Sequence, residues 1–220
     1  MGLEILSERI VGREGGFLAL RRMEMCNVRE DGSRSATFLV DYIVRPKGSD
    51  AVVVGVWRRG AQGIEVLIRA GLRPPIHVGR GAPGVRVPGI PVPDDKPHLF
   101  FPECVAGILE SDDVGEEGIR QRAAIEVLEE AGITVRAEDV VSLGAGTFPS
   151  PGSMIEKFWL TSVEVTDRTP PVPPPGDGSP LEEDARLEWM GLNEAIDACV
   201  TGRIEDLKTE VLLRRLRDRL

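Results

Sequence analysis

The sequence predicts a layered sandwich of the α+β or α/β class, on the basis of two observations. Short apolar segments with the composition of strands lie both before and after one central helical segment. Two further helical segments close the chain. Because a sheet has an apolar face that helices can cover, elements in this order are typical of one core made of packed layers. A chain of 220 residues is long enough to enclose such a core.

The first fifty residues are rich in strand-forming segments. Turn-like residues separate ILSERIVG at 5–12, FLALRRMEMCNV at 17–28 and SATFLVDYIV at 35–44. Short apolar segments joined by turns that contain Gly and Asp are typical of antiparallel neighbours. We therefore expect two or three antiparallel strands in this region.

The next part of the chain has the pattern of strands interrupted by a long loop. AVVVGVW at 51–57 and IEVLIRA at 64–70 are strand-like segments around a turn, and residues 100–110 are typical of a strand and turn. Residues 74–97 are rich in Pro and Gly, which disrupt both ladders and helices. We predict a long surface loop there.

The second half of the chain begins with a helix predicted over roughly 116–131. Gly132 follows it and is typical of the left-handed residue that ends a helix. A second proline-rich loop is expected at 169–184, and it ends in an acidic group. The remaining elements are strands at 140–148, 154–166 and 185–192, and helices at roughly 193–201 and 205–218.

The charge and cysteine content restrict the classes of partner and compartment. The chain has 27 Lys and Arg against 36 Asp and Glu, a net charge of −9, which argues against nucleic-acid or anionic-membrane partners. The three cysteines, Cys26, Cys104 and Cys199, have no metal-ligand spacing and favour a reduced, cytoplasmic protein. The first ten residues carry charges where a signal peptide would be apolar, and no apolar run has membrane-spanning length.

Three carboxylates lie on one face of the predicted central helix. Glu126, Glu129 and Glu130 occupy positions i, i+3 and i+4, and unpaired they would repel one another. Two explanations are open: a solvated acidic face neutralised by arginines, or oxygen ligands for Mg²⁺ or Mn²⁺. Arg122, four residues before Glu126, is on the same face and is expected to neutralise part of this charge.

The wider spacing of these residues resembles the Nudix box, G-x5-E-x7-R-E-U-x-E-E-x-G-U, in which U is a bulky aliphatic residue. From Glu117 onward the spacing matches, and EVLEEAGI completes the box at residues 126–133. The chain departs from the box in two places. Nine residues rather than five separate Gly107 from Glu117, and Ile125 replaces the arginine.

Other segments resemble one Nudix group, the ADP-ribose pyrophosphatases and nucleotide-sugar hydrolases. These are ECVAG at 103–107, SPGSMIEK at 150–157 and GRIEDLKTEVLL at 202–213. The resemblance implies an α/β fold, a Nudix α/β/α sandwich with an N-terminal antiparallel β-domain. It divides the chain into a β-domain at 1–48, on the substrate side, and a Nudix hydrolase domain at 49–220. It also implies a homodimer formed through the β-domain.

The resemblance further implies a Mg²⁺ site, in which Mn²⁺ is an alternative. The metal ligands would be the Ala106 carbonyl and the side chains of Glu126, Glu129 and Glu130, with Glu129 also counted as catalytic. The proton acceptor would come from a late acidic loop, where Glu182 and Glu183 match, and Glu156 is the alternative. The substrate would be held by Arg69 and Arg73, which flank the loop after the strand at 64–70, and Arg73 fits the phosphate-contacting position better.

The activity implied by the resemblance is hydrolysis of the diphosphate of ADP-ribose or a related nucleoside diphosphate sugar. The products would be a nucleoside monophosphate and a sugar phosphate. Two other readings are open. In one, the chain is a Nudix-fold module that binds a nucleotide as a sensor, which the replacement of arginine by Ile125 favours. In the other, it is a dimerisation scaffold with an acidic helix. The sensor would bind its ligand without Mg²⁺, and the scaffold would bind neither metal nor nucleotide.

Overall fold

The computed structural model describes residues 1–11, 16–46, 48–80, 90, 92, 96, 98–166, 174, 176 and 178–220. Most of the predicted loop at 74–97 and most of the first half of the predicted loop at 169–184 lie outside these residues. Within the described part of the chain, no helix is both long enough and apolar enough to cross a membrane.

The N-terminal residues form a three-stranded antiparallel sheet, as the sequence predicts. Its strands are β1 (Gly2–Val11), β2 (Ala19–Val28) and β3 (Phe38–Val44), in the spatial order β1-β2-β3. The register of β1 on β2 shifts between Ile5 and Ser7, where one extra residue interrupts the ladder.

Among the described residues after the N-terminal sheet, seven strands form a mixed sheet. They are β4 (Ala51–Gly60), β5 (Gly63–Leu72), β6 (Phe100–Glu103), β7 (Val105–Ile108), β8 (Val141–Ser142), β9 (Phe158–Glu164) and β10 (Arg186–Gly191). The main path runs β10-β5-β4-β9-β8, while β6 pairs with β5 and β7 pairs with β4. The pair β4–β9 is parallel, and the other pairs are antiparallel.

Helices cover both faces of this sheet. They are α2 (Gly115–Ala131) on one face and α3 (Leu192–Val200) and α4 (Leu207–Arg219) on the other, while the short helix α1 (Pro74–Arg80) has no buried residue. Strand residues alternate between two buried clusters because successive side chains point to opposite faces. Val52, Val54 and Leu67 pack with Val127 of α2. The opposite cluster joins Val53, Ile68, Ile196, Leu212 and Leu213, and so packs the sheet against α3 and α4. The predicted α/β/α layering is therefore confirmed.

Two predicted elements differ from the structure. The loop predicted at 74–97 begins with helix α1, since Pro is tolerated in the first turn of a helix, where its missing N–H has no partner to lose. The strand predicted at 140–148 is reduced to Val141–Ser142, because Gly144 takes a left-handed φ of 98° and ends the ladder.

Helix α2 follows the prediction closely. It ends at Ala131, and Gly132 adopts φ 68°, with its N–H donating to the carbonyl of Leu128 at 2.9 Å. Strand β7, which runs beside α2, contains Ala106 and Gly107. These two elements bring Glu126 and Glu130 of α2 next to Gly107 and Ala106 of β7.

Candidate active site

Gly107 of β7 lies directly against the carboxylate of Glu126 on α2. A Cβ added at Gly107 would overlap the Glu126 carboxylate. The absence of a side chain at position 107 therefore leaves the space that the Glu126 carboxylate occupies beside β7. This contact explains in steric terms why a glycine precedes the helix at this point.

Glu130 is the most buried of the helix glutamates. Its Oε2 accepts a hydrogen bond from the backbone N–H of Ala106 at 3.0 Å, and its Oε1 lies 3.3 Å from Nη1 of Arg69. Burial raises the pKa of Glu130 to about 7, although the positive charge of Arg69 acts to lower it. Ala106 and Glu130, both predicted at the metal site, are therefore neighbours in space.

Glu126 is half-buried next to the other carboxylates. Burial, followed by the negative charges of Glu130 and Glu129, raises the pKa of Glu126 to about 8. We call Glu126, Glu129 and Glu130 the acidic cluster. Burial and the like charges of the cluster therefore outweigh the opposing effect of Arg122 on the pKa of Glu126.

Arg122 contributes less to this balance than the sequence suggests. Its Nε donates to Oδ2 of Asp113 at 2.8 Å, and its Nη2 lies 3.4 Å from Glu110. These acidic partners come from the segment between β7 and α2. Arg122 still acts to lower the pKa of Glu126, but as a smaller effect than burial and the neighbouring carboxylates.

Arg69 of β5 provides the cation closest to the acidic cluster. Its side chain is almost fully buried, with the residue only 2% exposed. Besides its contact with Glu130, its Nη2 donates to Oε1 of Glu182 at 3.4 Å. Arg69 therefore lies inside the site and links a helix glutamate to the late acidic loop.

Arg73, the other predicted substrate-binding arginine, lies at the end of β5 and is about one-third exposed. It forms an ion pair with the buried carboxylate of Glu103, which is also paired with Lys208 of α4. Glu103 is directly opposite Arg69 in the β5–β6 register. Arg73 thus sits beside the same site, with part of its side chain open to solvent.

Residues 178–185, which we call the acidic loop, pack against this region. Pro180–Glu182 form a short 3-10 turn, and the side chain of Ser179 accepts a hydrogen bond from the N–H of Leu181 at the start of that turn. Just before the loop, the N–H of Gly176 donates to the carbonyl of Glu129 at 3.0 Å. A cavity of about 270 Å³ is lined by Arg69, Glu129, Glu182 and Glu183, among other residues. Glu182 faces Arg69, whereas Glu183 is exposed.

Glu156, the alternative proton acceptor, lies elsewhere in the fold. It is buried and ion-paired with Arg45, beside a small cavity lined by residues of β3 such as Ile43 and Val44. The residues lining the cavity of the acidic loop do not include Glu156. The fold therefore brings together all the predicted site residues except Glu156.

The acidic cluster fits a hard divalent cation in its chemistry. Carboxylate oxygens are the donors that Mg²⁺ and Mn²⁺ prefer, and burial together with the like charges of Glu130 and Glu129 raises the pKa of Glu126. In the described part of the chain, no three His, Cys, Asp or Glu side chains form a ready-made metal site. The cluster thus offers suitable ligand types whose side chains would have to converge on an ion.

Sequence reasoning missed two residues of this region, Glu103 and Lys208. Both belong to segments that the sequence singles out, ECVAG and GRIEDLKTEVLL, but more than one hundred residues separate them. Their contact depends on α4 packing across the sheet. The sequence signal was the one charged residue of ECVAG and one of the several charged residues of GRIEDLKTEVLL, which by itself does not reveal the pairing.

Comparisons with known proteins identify the fold. No protein-family model matches the chain, and no curated protein matches it in sequence. A crystal structure of an ADP compounds hydrolase matches with a TM-score of 0.67 over 99% of this chain and 94% of the other, at 12% identity. A C. elegans Ap4A hydrolase in a binary complex matches with a TM-score of 0.43 over 76% of this chain and 96% of the other, at 19% identity. The first of these similarities, together with the layers described above, shows that the chain has the Nudix fold.

Proposed function

We propose that this protein is a Mg²⁺-dependent Nudix hydrolase that cleaves the diphosphate of ADP-ribose or a related nucleoside diphosphate sugar. The products are a nucleoside monophosphate and a sugar phosphate. The observation that carries the proposal is the acidic cluster itself, packed against Gly107 and facing Arg69 and Glu182. Like charges at this spacing destabilise a helix, and a bound cation would offset that repulsion.

The residues that would hold Mg²⁺, or Mn²⁺ in its place, are Glu126, Glu129, Glu130 and the carbonyl of Ala106. A bound ion would neutralise the diphosphate and lower the pKa of a water molecule. The hydrogen bond from Ala106 to Glu130 and the contact of Gly107 with Glu126 support this assignment, because they hold the strand and the helix together at the site.

Protein side chains would supply the remaining steps. Glu182 would accept a proton, with Glu183 as the alternative at the more exposed position of the same loop. Arg73 would contact a substrate phosphate, since part of its side chain is open to solvent while Glu103 orients it. Arg69 is less suited to that role, because its guanidinium is buried between two carboxylates.

The test is product release from ADP-ribose, nucleotide sugars, dinucleoside polyphosphates and coenzyme A, with and without Mg²⁺. Glu130→Gln removes one charge of the cluster, and we expect it to lower kcat by at least about a hundredfold, consistent with the loss of a metal ligand. Glu116→Gln is the matched control, since Glu116 is exposed in the first turn of the same helix. Equal turnover in both variants would contradict the proposal.

A nucleotide sensor that has lost catalysis is a second candidate. It is favoured by Ile125, which replaces the arginine of the box and is exposed on α2, and by the lack of a ready-made metal site among the described residues. A sensor would bind ADP-ribose equally well in EDTA and in Mg²⁺ and would release no product. Calorimetric titration under both conditions separates it from the hydrolase.

We also propose that the protein is a homodimer and that it acts in the cytoplasm. The dimer is supported by exposed apolar side chains on the N-terminal sheet, including Leu3, Ile5 and Leu39. The compartment is supported by the three cysteines, which are all free thiols.

A further inference from the structure

Arg69 has an unusual position for a side chain that always carries a charge. The guanidinium is buried and lies between Glu130 on α2 and Glu182 in the acidic loop, at 3.3 Å and 3.4 Å. Its two Nη atoms face different carboxylates, so a single side chain joins two elements that are far apart in sequence. A planar guanidinium can do this because its donors have fixed and divergent directions.

Two glycines keep space for this arrangement. A Cβ at Gly71 would lie 2.5 Å from Nη1 of Arg69, so any side chain at position 71 would displace the guanidinium. A Cβ at Gly176 would overlap Oε2 of Glu182, and Gly176 also has a left-handed φ of 64°. Gly71 therefore leaves room for the guanidinium of Arg69, and Gly176 leaves room for the carboxylate of Glu182.

The position of Arg69 between Glu130 and Glu182 opposes the electrostatic repulsion between these carboxylates. Glu182 lies close to the acidic cluster, because it contacts one Nη atom of Arg69 while the other Nη atom contacts Glu130. A loop carrying a carboxylate toward other carboxylates is driven away from them unless a cation lies between. Arg69 is placed at that point, and the hydrogen bond from Gly176 to the carbonyl of Glu129 holds the chain just before the loop on α2.

We propose that Arg69 is a positioning residue that holds the acidic loop against α2 and thereby fixes the direction of the Glu182 carboxylate. We call the contact of Arg69 with Glu130 and Glu182 the clamp. The effect of the clamp on hydrolysis rests on the function proposed above, but the clamp is a property of the protein itself. Arg69 acts through Glu182 and does not need to touch the substrate.

The clamp is tested by hydrogen–deuterium exchange of the full chain in EDTA, read on peptides that cover residues 178–185. We compare the wild type with Arg69→Met, Glu182→Gln and the double variant. Each single variant is expected to raise exchange in the acidic loop by about tenfold, since both remove the same contact and local opening sets the exchange rate. The double variant is expected to exchange no faster than the single variants, because the contact is lost only once.

Arg136→Met is the matched control, because Arg136 is exposed and pairs with Asp139 away from the loop. It should leave exchange in the acidic loop at the wild-type rate. Glu182→Gln keeps the test valid if Arg69→Met fails to fold, since Glu182 is partly exposed and its substitution leaves the core intact. Wild-type exchange in Glu182→Gln, or additive effects in the double variant, would overturn the proposal.

Kinetics then tests positioning. With whichever diphosphate is turned over, Arg69→Met should lower kcat by at least about tenfold while changing KM by less than about threefold, because a general base contributes mainly to the chemical step. Arg69→Lys should recover only part of kcat, since an ammonium cannot bridge two carboxylates as a guanidinium does. A rise in KM with kcat unchanged would instead make Arg69 a substrate-binding residue. If no substrate is hydrolysed, the proposed function fails, while the exchange experiment still decides the clamp.

Discussion

Glu126 lies between Gly107 and the other carboxylates of the acidic cluster, and this environment raises its pKa to about 8. An unfolded chain would protonate the same carboxyl near its ordinary value of 4.5. Between these two values the folded state binds more protons than the unfolded state, so the free energy of unfolding falls as pH rises. The metal-free protein should therefore be less stable at pH 9 than at pH 5, and Glu130, with its own raised pKa, should add to this trend.

Glu126→Gln should flatten that pH dependence and raise the free energy of unfolding at pH 9 by about 1–3 kcal/mol, because the amide carries no charge to bury. Urea denaturation in EDTA at several pH values between 5 and 9 measures this. Glu116→Gln is the control, since Glu116 is exposed at the start of the same helix. If Glu126→Gln keeps the wild-type pH dependence, the environment of Glu126 does not raise the pKa of its carboxyl, and this prediction is wrong.

At the scale of elements, the start of helix α4 is fixed to strand β6 by a buried ionic group. Lys208 pairs with Glu103 and lies 3.0 Å from Asp206, whose carboxylate also accepts a hydrogen bond from the N–H of Thr209 as the N-cap of α4. The hydroxyl of Thr209 in turn accepts a hydrogen bond from the N–H of Cys104 at 2.7 Å. These contacts hold α4 at the point where β6 passes into β7, next to Ala106.

Lys208→Met should lower the free energy of unfolding by about 3–5 kcal/mol, because it leaves the buried Glu103 with one cation fewer. Thermal and urea denaturation at neutral pH check the value. The double variant Lys208→Met with Glu103→Gln should recover part of the loss, since the amide removes the uncompensated charge. A single variant as stable as the wild type would show that Arg73 alone balances Glu103.

At the scale of the whole molecule, the N-terminal sheet exposes apolar side chains that the Nudix-fold part of the chain does not cover. Leu3 and Ile5 lie on the same face of the sheet and are both more than half exposed. Exposed apolar residues on a small sheet with free edges are typical of a surface that pairs with another chain. A dimer through this sheet would cover them.

The wild type should therefore run at twice the mass of one chain in light scattering coupled to size exclusion. Leu3→Glu combined with Ile5→Glu should give monomers, because each charge would be buried without a partner in the dimer. Val200→Glu, an exposed apolar position at the end of α3, is the control and should stay dimeric. A wild type that is monomeric at all concentrations would contradict the proposed dimer.

The sequence by itself determined the features that depend on neighbours along the chain. Helix α2, its end at Gly132 and the common face of Glu126, Glu129 and Glu130 follow from helical periodicity and from the backbone freedom of glycine. The antiparallel N-terminal strands follow from apolar segments separated by turns. The layered class follows from the order of these elements.

Only the tertiary structure decided which charges meet. The sequence assigned Arg69 to the substrate and Arg122 to the acidic cluster, whereas in the fold Arg69 lies against Glu130 and Arg122 pairs with Asp113. It also grouped Glu156 with the candidate bases, yet Glu156 pairs with Arg45 and does not line the cavity of the acidic loop. These partners come from strand register and from helix packing across a sheet, and both depend on burying apolar surface over the whole chain. No local pattern contains that information for Arg69 and Glu156, because their partners lie dozens to more than one hundred positions away, whereas Arg122 and Asp113 are only nine positions apart.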